Sequence, residues 1–213
     1  MRIALINENS QAGKNEMIYN TLKSVVEPLG HEVVNYGMYA ADQDNQITYV
    51  VVGVLTATLL NSGAADFVVT GCGTGEGAML ACNSFPGVLC GHVVTPLDGF
   101  LFRQVNDGNA IAIPFAEGFG WGGEINLQYI FEKTFNCEGG QGYPPERVVP
   151  EQRNKKILDK VKTVTHNDLC EILPQLDPEL TKAAFGGPNF KEYFYRDCKC
   201  EKIAAAVEAI VGK

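Results

Sequence analysis

The chain has 213 residues, 46% of them hydrophobic, which suits one domain with an appended segment. Its net charge of −8 argues against nucleic acid as a partner, because phosphate backbones are bound by surfaces rich in lysine and arginine. No apolar run approaches the length of a membrane span, and the first residues run directly into a predicted strand rather than a signal peptide. Seven scattered cysteines indicate reduced thiols, so we expect a cytoplasmic protein without membrane association.

Strand and helix patterns alternate along the first 135 residues. The predicted strands cover residues 2–6, 31–36, 67–70, 87–94 and 110–113, and helices are predicted at residues 14–28, 48–61, 96–106 and 124–135. An apolar segment with helical spacing also follows the third strand. The alternation predicts an α/β fold, a doubly wound five-stranded parallel sheet with right-handed crossovers and the strand order 2-1-3-4-5.

The character of the sequence changes after residue 136. Residues 1–136 are interpreted as a Rossmann-like domain, and residues 137–152, which include Gly-Gly-Gln-Gly-Tyr-Pro-Pro, as a linker. Residues 153–213 show helical patterns without strands or repeats, so they predict a helical C-terminal extension. Such a tail is suited to packing on a neighbouring subunit.

A glycine-rich loop follows the third predicted strand. Glycines stand at positions 71, 73, 75 and 77, with Cys72 and Thr74 between them. The loop lacks the third glycine of a dinucleotide fingerprint and the lysine of a Walker loop. Bare N–H groups at a helix start form an anion site, where a thiol is biased towards thiolate; a plain structural turn is the alternative. Because ligands bind where the strand order reverses, we expect the loops at residues 7–13 and 71–77 to form one site.

The segment Gly-Cys-Gly-Thr-Gly-Glu-Gly at residues 71–77, with Asn83 and the later Arg-Gln-Val-Asn-Asp-Gly-Asn at 103–109, carries a family resemblance. It resembles the sugar isomerases typified by type B ribose-5-phosphate isomerase and galactose-6-phosphate isomerase, over residues 1 to about 150. The resemblance implies a doubly wound sugar isomerase domain that interconverts an aldose and a ketose through a cis-enediolate. It also implies that no metal or other cofactor is needed, and that homodimers, or dimers of dimers, build each site from two subunits.

The resemblance assigns roles to individual residues. Cys72 becomes the base that moves a proton between two sugar carbons, with Thr74 as its helper. The reaction also needs donors for the enediolate oxygen, which the backbone N–H groups of three loop glycines could supply. The predicted substrate-binding residues are Glu8, Asn9, Ser10, Tyr49, Gly73, Gly75, Gly77, Asn106 and Arg147.

The sequence departs from the family pattern in three places. Val105 replaces the histidine credited with ring opening, and residues 8–9, or 10–11 with a gap, replace an Asp-His pair in the first loop. Ala116 lies in the segment after strand 5 where an arginine that anchors phosphate is expected. We therefore predict an open-chain acidic sugar substrate of the 4-deoxy-5-hexosulose uronate type, as in longer relatives that carry a helical tail.

Three other interpretations remain open. The substrate could be a pentose or hexose phosphate, such as ribose 5-phosphate or galactose 6-phosphate. A protein of another class, a module that binds an anionic sugar without turnover, would keep the glycine loop but would not require the thiol. A cysteine-nucleophile hydrolase is less consistent, because none of His31, His92 and His166 is predicted in a loop beside Cys72.

Overall fold

The computed structural model describes residues 1–212. Within them, the chain forms a five-stranded sheet in which all neighbouring strands are parallel. The predicted α/β fold class is confirmed. The strands are Arg2–Asn7 (β1), Glu32–Asn35 (β2), Phe67–Cys72 (β3), Cys90–His92 (β4) and Ala110–Pro114 (β5).

Helices cover both faces of the sheet and make up the C-terminal part. Those that accompany the sheet are Asn15–Val26 (α1), Tyr49–Asn61 (α2), Glu76–Asn83 (α3), Pro96–Leu101 (α4) and Gly123–Phe135 (α5), with a π-helical turn, Phe102–Asn106, extending α4. The later ones are Val148–Thr165 (α6), Leu169–Ile172 (α7), Pro178–Phe185 (α8), Pro188–Asp197 (α9) and Glu201–Val211 (α10). Short 3-10 turns occur at Asn9–Lys14, Glu27–Leu29, Pro145–Arg147 and Leu173–Gln175. Within residues 1–212, no helix has both the length and the apolar character that crossing a bilayer requires.

The strand order differs from the prediction at one edge. The sheet runs β2-β1-β3-β5-β4, whereas the predicted order placed the fourth strand beside the third. Every residue of β5 is buried, so it fits between two neighbours, while β4 has only three residues, two of them part-exposed, and suits an edge. The chain passes from β3 to β4 with α3 on one face and returns to β5 with α4 on the other, which keeps both crossovers right-handed.

Two hydrophobic layers enclose the sheet. Alternate β1 side chains enter different layers: Ile3 and Leu5 pack with α1 and α5, and Ala4 and Ile6 pack with α2. The helices α7 to α10 cover the other side of α2, which explains why α2 is apolar on all sides. They therefore pack on their own chain, and side chains from them join the α2 layer, among them Phe185, Phe194 and Val207.

The helix α6 begins at Val148, inside the predicted linker at residues 137–152. Its lysine at position 162 donates to the carbonyl of Asn83 at 2.6 Å, at the end of α3. The segment before α6 packs on the turn that extends α4, since residue 142 donates to the Gln104 carbonyl at 3.0 Å. The division of the chain at residues 136 and 153 stays a prediction.

Candidate functional site

The loops that follow β1 and β3 lie side by side at the carboxyl edge of the sheet. Asn7 and Gly71 are register partners, and the backbone N–H of Glu8 donates to the Gly71 carbonyl at 3.4 Å. The N–H of Asn9 donates to the carbonyl of Ile47 at 2.7 Å, so the segment before α2 joins the same edge. This is the switch point at which a doubly wound sheet binds its ligand.

Cys72 is the last residue of β3 and is only 8% exposed, with a free thiol. Its register partner is Pro114 of β5, and its carbonyl accepts the N–H of Phe115 at 2.9 Å. Gly71 lets β5 approach closely, because a Cβ there would lie 2.2 Å from the Ile113 carbonyl oxygen. The backbone that carries the thiol is therefore held inside the sheet.

The glycine loop turns from β3 into α3. Gly75 has φ +78°, and a Cβ on it would lie 2.9 Å from backbone atoms of Ile113 and Pro114. Gly73 is open, because a Cβ on it would have no neighbouring atom closer than 3.9 Å. Thr74 is exposed, and its hydroxyl accepts the N–H of Glu76 at 3.4 Å. The loop therefore presents the Thr74 side chain and open backbone next to Cys72.

His92 is a residue of this edge that the sequence analysis missed. It ends β4, and its Nε2 lies 2.8 Å from the Thr74 carbonyl oxygen. Because a carbonyl oxygen only accepts, Nε2 carries the proton and donates. His92 lies on a strand, as predicted, but its ring reaches the glycine loop and donates to the loop backbone. The available signal was its position near the carboxyl end of the strand predicted at residues 87–94.

The first loop contributes Glu8, Asn9 and Ser10 to the same edge. Glu8 is 4% exposed, and its carboxylate accepts both the N–H of Ser10, at 3.0 Å, and the Ser10 hydroxyl. Tyr49, the first residue of α2, is half-exposed, and its ring lies against the glycine loop, 3.2 Å from where a Cβ on Gly77 would be. These predicted residues lie at the same edge of the sheet as Cys72.

Lys14 is a second residue that the sequence analysis missed. Its Nζ donates to Oε1 of Gln11 at 2.9 Å and to the carbonyl of Phe115. The same Nζ lies 4.6 Å from the centre of the Phe119 ring. Partial burial lowers the pKa of Lys14. A cation therefore lies between the turn after β1 and the end of β5.

Two predicted site residues lie elsewhere in the chain. Asn106 precedes β5, whereas Cys72 lies beside Pro114 at the other end of that strand. Four strand steps separate these ends by about 13 Å, so Asn106 lies beyond the amino edge of the sheet. Arg147 is exposed in the segment that packs on the same turn, at Gln104. One chain therefore does not bring these residues to the Cys72 loop.

The fold and this edge define an α/β protein with a candidate ligand site at its switch point and a cysteine at the end of a central strand. A family model described as Ribose/Galactose Isomerase matches residues 3–140, and another described as Ribose-5-phosphate isomerase matches residues 164–210. The chain belongs to the Ribose/Galactose Isomerase family. The predicted family is confirmed.

Solved structures extend this result to the whole chain. A 4-deoxy-L-threo-5-hexosulose-uronate ketol-isomerase, in complex with a tartrate, is 55% identical with a TM-score of 0.97, covering 100% of both chains. A ribose-5-phosphate isomerase from Vibrio parahaemolyticus is 50% identical with a TM-score of 0.96, covering 99% of both. The type B ribose 5-phosphate isomerase of Trypanosoma brucei, 18% identical with a TM-score of 0.63, shares the fold over 75% of this chain and 97% of its own. The predicted class, an aldose–ketose isomerase, is confirmed.

Proposed function

We propose that the protein interconverts the aldose and ketose forms of an open-chain acidic sugar of the 4-deoxy-5-hexosulose uronate type, without a metal or other cofactor. The observation that carries this proposal is the 55% identity, over the whole of both chains, to a ketol-isomerase named for that substrate. Val105 and Ala116 support it, because neither side chain can assist ring opening or bind phosphate. The second candidate is a sugar phosphate isomerase, which the ribose-5-phosphate isomerase at 50% identity favours.

In the proposed reaction, the Cys72 thiolate removes a proton from the carbon next to the substrate carbonyl. The electron pair of that C–H bond forms the C=C bond of a cis-enediolate, and the carbonyl oxygen becomes negative. Backbone N–H groups of Gly73, Gly75 and Gly77 and the Thr74 hydroxyl would stabilise this charge. The thiol then returns the proton to the former carbonyl carbon, while the hydroxyl proton of the other carbon passes to the enediolate oxygen, so that a new C=O bond forms on that other carbon. Glu8, Asn9, Ser10 and Tyr49 would bind the hydroxyl groups, which their placement at the same edge of the sheet supports.

We also propose that the active form is a homodimer, or a dimer of dimers, with each site built from two subunits. Asn106 and Arg147 lie at the amino edge, so they could meet a Cys72 loop only from a second copy. The helix α6 supports a second copy, since none of its residues is buried. Five of its apolar side chains are 44% exposed or more, and such a patch marks a protein interface: Val149, Ile157, Leu158, Val161 and Val164.

The proposed setting of the enzyme is the cytoplasm. The seven cysteines are free thiols, as expected for a reducing compartment. The proposed three segments, residues 1–136, 137–152 and 153–213, would then be a sugar isomerase domain, a linker and an extension. One hydrophobic layer contains side chains from the first and the last of them, so we expect them to fold together.

Steady-state kinetics test the proposed substrate. We would measure kcat/KM for 4-deoxy-L-threo-5-hexosulose uronate, ribose 5-phosphate and galactose 6-phosphate with the same preparation. The kcat/KM for the uronate should exceed that for either phosphate by roughly tenfold or more. The reason is that the site lacks a charge-assisted hydrogen bond that would bind phosphate. A higher value for a phosphate would favour the second candidate. Binding of all three without turnover would instead identify a non-catalytic anionic-sugar-binding module.

A further inference from the structure

We propose that the Lys14 ammonium group binds the carboxylate of the substrate and thereby selects open-chain acidic sugars over neutral ones. This inference deepens the proposed function and rests on its substrate class. Lys14 would be a specificity-determining residue that contacts the substrate away from the reacting carbons.

The position of the ammonium group is the first argument. Lys14 ends the 3-10 turn that follows β1, and its Nζ reaches the carbonyl of Phe115, one residue beyond β5. The N–H of the same Phe115 donates to the carbonyl of Cys72 at 2.9 Å. The ammonium group therefore lies at the carboxyl edge of the sheet. It is next to the end of β5, and β5 is the neighbour of β3, which ends in the proposed catalytic residue Cys72.

The rarity of positive charge at this edge is the second argument. The segments that follow the five strands, before their helices begin, are residues 8–14, 36–48, 73–75, 93–95 and 115–122. Lys14 is the only lysine or arginine in them. An anionic substrate held at this edge by the side chains of one chain therefore has a single permanent cation available. One positive charge matches a carboxylate, whereas a phosphate dianion favours the bidentate pairing that arginine provides.

The surroundings of the ammonium group are the third argument. Within residues 1–212, the ion pairs of the structure do not include Lys14, so no carboxylate oxygen lies within 4.0 Å of its Nζ. Its oxygen partners, on Gln11 and Phe115, are both neutral. Partial burial without a counter-charge is unfavourable for a cation, and the lowered pKa of Lys14 agrees with that cost. The carboxylate of a bound substrate would supply the missing negative charge.

Gluconate and glucitol test the inference without requiring turnover. Both are open-chain six-carbon compounds, but only gluconate carries a carboxylate. Gluconate should bind the wild-type protein more tightly than glucitol, and Lys14→Gln should weaken gluconate binding roughly tenfold or more while glucitol binding stays unchanged. Lys14→Arg should retain most of the gluconate affinity. Lys23→Gln, which changes an exposed lysine of α1 paired with Glu27 at 3.5 Å, is the matched control and should have no effect.

A merely structural lysine would give a different result. If Lys14→Gln binds gluconate within twofold of wild type, or weakens both ligands equally, the inference is wrong. If Lys14→Gln does not fold, lysine side-chain NMR of the wild-type protein decides: the Lys14 signal, assigned from the Lys14→Arg spectrum, should shift with gluconate and not with glucitol. An unshifted signal would overturn the inference. Failure of the uronate as a substrate, with Lys14-dependent gluconate binding, would contradict only the proposed function.

Discussion

Single residues in the glycine loop differ in the space around them, and this difference gives a first prediction. Gly75→Ala places a Cβ 2.9 Å from two backbone atoms at φ +78°, so we expect a loss of about 2 kcal/mol or more in the free energy of unfolding. Gly73→Ala, whose Cβ meets nothing closer than 3.9 Å, is the matched control and should lose less than about 1 kcal/mol. Urea unfolding measures both. Equal losses would show that the close approach of β5 does not constrain the loop.

His92 gives a second prediction at this scale, because its Nε2–H holds the Thr74 carbonyl. We expect His92→Ala to lower kcat roughly tenfold through a displaced loop, with a smaller change in KM. His92→Gln keeps a donor and should recover part of the loss. Initial rates, with circular dichroism to verify folding, measure both variants. A His92→Ala enzyme with wild-type kcat would mean that the hydrogen bond does not position the loop.

Most residues of the candidate site could be predicted from the sequence, because they lie close together along the chain. Cys72, Thr74 and the glycines belong to one contiguous motif, and the strand–loop–helix pattern places that motif at the carboxyl edge. Lys14 and His92 could not be found this way. Lys14 reaches the edge only because a 3-10 turn directs it back towards β5, and His92 does so only because β4 ends at that residue. Strand ends and turn geometry are set by tertiary packing rather than by pattern.

At the scale of elements, the positions of strands and helices were predictable from periodicity, but their neighbours were not. The alternation of strands and helices is compatible with either order of β4 and β5, and only the complete burial of β5 decides between them. The C-terminal helices were recognised as helices, but the surface that they cover was not. The apolar character of α2 on every side was the available signal, because such a helix needs cover on both sides.

Lys162 connects two elements and gives a third prediction. Its Nζ, on α6, donates to the carbonyl of the last residue of α3, Asn83, at 2.6 Å. A cation at a helix C-terminus interacts favourably with the last carbonyls, so Lys162→Met should lower the free energy of unfolding by about 1 kcal/mol. Lys160→Met, on the exposed side of the same helix, is the control and should change it by less than about 0.5 kcal/mol. Urea unfolding measures the loss in free energy for both variants. Equal losses would mean that the hydrogen bond from Lys162 to the Asn83 carbonyl does not stabilise the protein.

At the scale of the whole molecule, the division of the predicted site between two sheet edges gives a fourth prediction. Cys72→Ala and Asn106→Ala should each be nearly inactive alone. When the two proteins are mixed, dissociated and reassociated, mixed dimers should contain one intact site. Random pairing makes half of the dimers mixed, so roughly a quarter of wild-type activity should return.

A site contained in one chain would behave differently in this mixing experiment, because no activity would return. If sedimentation shows a stable monomer and that monomer is fully active, the proposal that each site needs two subunits is also wrong. A charged substitution on the exposed face of α6, Val161→Asp, is expected to weaken assembly without unfolding the chain, because its side chain is 48% exposed.

The central claim is that Cys72 transfers a proton between two carbons of the substrate, and exchange with solvent deuterium tests it most directly. NMR in deuterated water should show that the wild-type enzyme incorporates deuterium at the carbon next to the carbonyl of the acidic sugar. Cys72→Ala, verified as folded, should lose roughly two to four decades of both exchange and isomerisation, the usual effect of removing a positioned base. Exchange by Cys72→Ala at a rate close to wild type would contradict the account.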